Sequence, residues 1–182
     1  MAKIFFKQYD KQKHESLLRD WEKDKGAREN CWDNYTTFGL LIIYGDIVDL
    51  ISFYDPVQTE EEFLKTFVAF NEAGKDVGLI ILDHVTFENK STALNVFHII
   101  IRPDEQGKGY GSAMMEKVVF AGEKMMGRRV DEVLASVDPN NVASSHMMEK
   151  RGFNVIHKTG SYNIYSLNLK EKKKQIEGEK DK

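Results

Sequence analysis

The spacing of apolar residues changes several times along the chain, and each change marks an element. Residues 4–9 form a short apolar-led run that reads as a strand. Leu17, Leu18 and Trp21 then stand at near-helical spacing in a polar stretch, predicting a helix over 11–25 stopped by Gly26. Residues 35–54 are rich in Leu, Ile, Val and Phe, and fit either a buried helix or two strands turning at Gly45-Asp46. Thr59 and Glu62 make a capping box after Pro56, which predicts a short helix starting there.

From Phe67 the texture becomes that of a meander. "FVAF", the polar turn "NEAGKD" and "VGLIILDHVTF" read as a hairpin, and "ENKS" turns the chain into a third strand, "TALNVFHIII". Pro103 cannot donate to a ladder and biases Arg102 toward extended backbone, so that strand should end there. The clearest helix is predicted over 112–126, with Met114, Met115, Val118, Val119, Met125 and Met126 on its apolar stripe. Gly127 suits its C-terminal cap. "VDEVLASV" reads as a strand, Asn140 or Asn141 as the cap of a helix running to Arg151, and Gly152 as its end. "FNVIHK" and "YNIYSLNL" complete a last hairpin around Thr159-Gly160.

Composition narrows the class. The net charge of −3 gives no global basic field, so nucleic acid is not expected as a partner. Gly45, Asp46 and Asp49 interrupt the longest apolar region, which makes it a poor membrane span. A lone cysteine, Cys31, excludes an internal disulfide framework and fits a reducing, cytoplasmic setting. If exposed, the 38–54 run would suit a homodimer seam. From 170 to 182, six Lys and four acids fill 10 of 13 positions, the pattern of a solvated charged tail.

The chemistry concentrates in "IIIRPDEQGKGYGSAMMEK", where Gly107, Gly109 and Gly111 stand between a strand and a helix. A helix leaves its first N–H groups without internal acceptors, and its dipole adds positive charge there. Glycines let a phosphate or pyrophosphate approach those groups, and Lys108 could add a point charge. A Walker loop is rejected because Lys108 precedes the last glycines and no Ser/Thr follows it directly. A dinucleotide fingerprint fails at Ser112, which holds its third glycine position. Glu132 lies about 20 residues on, as that fingerprint expects, but at the start of the next strand.

A third design fits. "QGKGYG" resembles the Gln/Arg-x-x-Gly-x-Gly/Ala signature of the GNAT superfamily of acyl-CoA-dependent N-acetyltransferases, with Gln106, Gly109 and Gly111 at the marked positions. "NVASSHMMEKRGF" resembles that family's later Asn-x-x-Ala-x-x-Leu-Tyr-Glu-Lys-x-Gly-Phe segment. The resemblance implies an α/β (α+β) fold: a mixed, mostly antiparallel sheet of six to seven strands flanked by helices, its fourth and fifth strands splayed. It implies one domain over 1–169, with a variable acceptor side over 1–65, an acyl-CoA-binding core over 66–169 and the tail beyond. Acetyl-CoA would be the cosubstrate, with no metal. Its pyrophosphate would meet the backbone of Gln106, Gly107, Lys108, Gly109, Tyr110 and Gly111, with Ser112 near. Its pantetheine arm would pair with the backbone of Ile99 and Ile101 and bond Asn141, for which helix capping is the other reading.

The implied reaction moves an acetyl group to a primary amine by direct attack in a ternary complex. The acceptor would be an amine on a small molecule, peptide or protein. Such an amine must first lose a proton, and the leaving thiolate benefits from an acid. The tyrosine that often serves as that acid is replaced by Met148, which cannot donate. A glutamate that some relatives carry eleven residues before the Gln/Arg is replaced by Asn95. His98 and His146 are the remaining candidates for proton transfer, with His84 beside them, and ordinary packing is the competing reading for each. Two rival functions follow from the same residues: a catalytically silent acyl-CoA-binding sensor or partner module, and a nucleotide-binding protein.

Overall fold

The computed structural model describes residues 2–23 and 64–172. Gly26, Cys31, the 35–54 run, the Thr59–Glu62 capping box and the tail beyond 172 lie outside the described residues. The chain forms β1 (Ile4–Gln8), α1 (Lys11–Lys23), β2 (Leu64–Asn71), β3 (Asp76–Thr86), β4 (Thr92–Ile101) and a short 3-10 turn (Pro103–Glu105). There follow α2 (Tyr110–Met126), β5 (Glu132–Val137), α3 (Val142–Lys150), β6 (Asn154–Lys158) and β7 (Asn163–Asn168). The strands make one seven-stranded sheet in the order β1-β2-β3-β4-β5-β7-β6. β1–β2, β5–β7 and β6–β7 pair antiparallel, while β4 and β5 pair in parallel. This is the mixed, mostly antiparallel architecture expected, with seven strands.

The residues group into two compact units, Met1–Leu82 with His98–Met115, and Asp83–Phe97 with Glu116–Lys182. In the described part of the first, β3 is buried along nearly its whole length. That explains why "VGLIIL" reads as a continuous apolar run rather than an alternating one. Val77, Leu79, Ile80, Ile81 and Leu82 are fully enclosed, as are Leu18 of α1 and Met114 and Met115 of α2. Gly78 breaks the run for a steric reason. A Cβ there would lie 2.6 Å from the Ile100 carbonyl oxygen, 3.1 Å from Ile101 Cδ1 and 3.2 Å from Met114 Sδ. A glycine inside a strand commonly marks such an approach of backbone to backbone.

In the second unit, Leu94, Val118, Val133 and Tyr165 form the enclosed center. Gly122 lets α2 settle on Leu94, whose Cδ2 would be 2.7 Å from a Cβ at 122. Gly127 has φ +69°, and its N–H donates to Glu123 O at 2.8 Å, ending α2 as expected. β6 stands last in the strand order, exposes every residue and shifts register between Val155 and His157.

Several charged and polar groups of this unit converge on Asp131. Its carboxylate takes Lys170 Nζ at 3.0 Å, Arg129 at 2.6 Å and the Thr92 backbone N–H at 3.1 Å. The Lys170 ammonium, and after it the Arg129 guanidinium, hold the Asp131 carboxyl well below the usual carboxylate range. A carboxyl depressed in this way stabilizes the fold above its unfolded pKa of about 4, and that gain fades as pH falls toward the folded value. Asp131→Asn should therefore lower the melting temperature at pH 7, and parent and variant should converge on acidification below about pH 4. Melting curves at pH 7, 4 and 3 check this, and a gap that stays constant with pH removes Asp131 as the source.

Candidate functional site

The loop between β4 and α2 begins where Pro103 ends the strand. The 3-10 turn over Pro103–Glu105 follows, closed by Gln106 N–H donating to Pro103 O at 3.3 Å. Residues 106–109 are exposed. Gly107 and Gly109 both adopt left-handed backbone, with φ +73° and +83°. Among the described residues, no atom beyond the adjoining ones in the chain lies within 4 Å of where a Cβ would stand at either one. Two positions that strongly favor glycine thus also face open space beside a helix N-terminus. The Gln106 side-chain amide reaches back to Ile101 O, at 3.5 Å.

α2 starts at Tyr110, two residues before the predicted Ser112, because Ala113 N–H donates to Gly109 O at 3.0 Å. Gly109 therefore closes the first helical bond, which an apolar stripe beginning at Met114 could not reveal. The loop consequently delivers Tyr110, Gly111 and Ser112 as the first turn of a 17-residue helix. The donors of that turn and its dipole favor an anion in front of it.

Beneath the loop lies a chain of alternating charges. Trp21 Nε1–H and the Arg102 guanidinium (3.0 and 3.1 Å) both donate to the buried Asp76 carboxylate. Arg102 also bonds Asp104 at 2.8 Å, and Lys75 bridges Asp104 at 2.8 Å and Glu105 at 2.5 Å. Glu105 is buried, and its second oxygen holds Lys108 Nζ at 3.0 Å. The Lys75 ammonium, with Lys108 behind it, keeps the Glu105 carboxyl below its ordinary range. Lys108, expected as a point charge for the anion, is thus exposed but ion-paired with Glu105. Sequence reasoning missed Lys75 and Glu105, because only the folded β2–β3 turn brings residue 75 to residue 105.

The other singled-out residues occupy varied settings. On β4, His98 is buried, and that burial pushes its imidazole down to about 4. Asn95 is half-buried on the same strand, three residues away and so on the opposite face. Ile99 is buried, and Ile101 is half-buried at the strand end. The β4–β5 register runs from Ala93↔Glu132 to Val96↔Ala135, while β4 itself continues to Ile101. In the second unit, Asn141 caps α3, its Oδ1 accepting from Ser144 N–H at 3.0 Å. That resolves the Asn140/Asn141 alternative. His146 is exposed on α3, and Met148 is buried. His84 donates from Nε2 to Arg129 O at 2.8 Å, a structural bond at the end of the α2–β5 connection. Among the described residues, no group of three or more His, Cys, Asp or Glu side chains is placed to hold a metal ion. No helix among them is long and apolar enough to cross a membrane.

A family model described as the acetyltransferase (GNAT) family matches residues 8–153. The chain belongs to the GNAT acetyltransferase family. The match contains the glycine loop and ends on Phe153, the last residue of the second recognized segment. No curated protein sequence matches this GNAT chain. Among solved structures, mutant forms of the spermidine/spermine N-acetyltransferase SpeG from Vibrio cholerae align with TM-score 0.65 and 14% identity, over 95% of this chain and 98% of that one. The N-acetyltransferase PseH of Campylobacter jejuni, in complex with acetyl coenzyme A, aligns with TM-score 0.59 and 17% identity, over 91% and 99% of the two chains. At these identities the likeness is one of fold. Family and fold together make this protein an acetyltransferase built on the GNAT sheet.

Proposed function

We propose that this GNAT protein transfers an acetyl group from acetyl-CoA to a primary amine by direct attack in a ternary complex. The observation that carries the reading is the open, left-handed pair Gly107 and Gly109 in front of the α2 N-terminus. Open backbone before a helix N-terminus suits a diphosphate held by main-chain N–H groups, which needs no basic side chain because donors and dipole already supply the positive field. Gln106 to Gly111 and Ser112 would hold the diphosphate. The backbone of Ile99 and Ile101 would align the pantetheine arm as an added strand. Acetyl-CoA supplies the activated thioester carbonyl when bound.

Two N-acetyltransferase neighbors in fold, one in complex with acetyl coenzyme A and the other named for spermidine and spermine, support small amine-bearing acceptors as the first class to test. Holding both reactants together can lower the barrier by several kcal/mol, on the order of 7–11 in the best-oriented cases. Rate can therefore be large even where a strong side-chain base is lacking. His98 fits such a role poorly, since an imidazole titrating near 4 is badly matched to an amine with pKa of about 10.

The test is thiol release from acetyl-CoA across a panel of primary amines, polyamines and amino sugars. At least one should be acetylated, with kcat/KM rising with pH through the neutral range as the free amine grows. A rate break in the neutral range would instead place a histidine in the proton path, and His146→Ala would show whether it is the one on α3. Silence toward every amine despite CoA binding would overturn amine acetylation.

A further inference from the structure

We infer that Glu105 and Lys75 are positioning residues for the diphosphate loop, acting as a charge-balanced brace rather than as ligands. The inference rests on the reading that CoA binds at this loop. Glu105 is the last residue before the glycine loop, yet its side chain is only 6% exposed. One oxygen is tied at 2.5 Å to Lys75, at the β2–β3 turn, and the other at 3.0 Å to Lys108 inside the loop. Lys75 is tied in turn to Asp104 of the 3-10 turn at 2.8 Å. The loop is thus fastened to a strand connection 30 residues earlier in the chain and cross-linked to itself over three residues. Two residues of that loop are glycines with wide backbone freedom, so something else must select their conformation. The charged contacts supply that selection, with Lys108 engaged by Glu105.

The charges of this brace cancel. Arg102, Lys75 and Lys108 face Asp76, Asp104 and Glu105, so the brace as a whole carries no net charge. This gives the idea a sign. If Glu105 acted only through its charge, it would repel the diphosphate, and Glu105→Gln would tighten CoA binding. If it positions the loop, the same substitution weakens binding although a negative charge has gone.

Calorimetric titration of CoA into the full chain distinguishes these. Glu105→Gln should raise Kd by about fivefold or more, a weakening that titration resolves readily. The double variant Lys75→Gln/Asp104→Asn keeps net charge and removes the tie of Lys75 to Glu105 at half-exposed positions, so it should fold and should also raise Kd. Lys75→Arg, which can still hold both carboxylates, should stay near the parent. A Kd unchanged or lowered in Glu105→Gln overturns the brace. So does a parent-like double variant, which also decides the matter if Glu105→Gln does not fold. Gly109→Val, run beside them, separates the two ideas. If it too leaves Kd unchanged, CoA is bound elsewhere; if it alone weakens binding, the loop is the site and the brace is not what shapes it.

Discussion

Gly109→Val should abolish measurable CoA binding, with Kd rising at least about a hundredfold, while the protein remains folded. The reason is specific to the position. Gly109 has φ +83°, where a β-branched residue pays a backbone cost of about 1–2 kcal/mol or more. Among the described residues, no atom beyond its chain neighbors lies within 4 Å of a Cβ there, so the Cβ of a new side chain enters open space. That space is the one proposed for the diphosphate. The valine would also pull residue 109 away from the conformation in which its carbonyl receives Ala113 N–H, shifting the start of α2. Gly127 provides the control. It too has positive φ, +69°, with open surroundings, but it caps the opposite end of α2. Gly127→Val should cost comparable stability and leave CoA affinity unchanged. Titration of both variants, with melting curves to confirm folding, reads the outcome. A folded Gly109→Val protein that binds CoA like the parent sinks the loop assignment.

The second large effect belongs to stability. Gly78→Ala should destabilize the protein by about 1–3 kcal/mol, and Gly78→Val by more, as overpacked positions do. A Cβ at 78 would stand 2.6 Å from Ile100 O, a backbone atom that cannot rotate aside. β3 would have to move from Ile100, or Met114 from both. For a chain of this size each kcal/mol corresponds to a drop in melting temperature of roughly 2–4 °C. Denaturant unfolding of both variants gives the free energy directly. A melting temperature unchanged by Gly78→Ala would mean that the strand adapts more readily than its burial implies.

Much of this was legible in the sequence because the deciding signals were local. Pro103 ended β4, Gly127 ended α2 and Gly152 followed α3, each through a backbone preference carried by one residue. The glycine loop was legible because the left-handed backbone of 107 and 109 strongly favors glycine. What escaped depended on distant partners. Nothing about Lys75 or Glu105 in isolation announces a pairing across 30 positions, and Gly78 looked like one more small residue in an apolar run. Its position mid-strand was the available clue. The histidines escaped for a different reason. Identity alone could not say that His98 is enclosed and His146 is exposed, and enclosure is what moves an imidazole out of the neutral range.

β6 has a consequence outside catalysis. An outermost strand with Val155 and Ile156 turned to water could serve as a template on which a foreign strand grows. The register shift beside Ile156 puts the donors and acceptors of that border out of step, so an incoming straight strand finds partners for only part of its length. The irregularity works as a guard against fibrillar stacking, and straightening it by deleting one residue would trade that protection for a smoother and stickier rim.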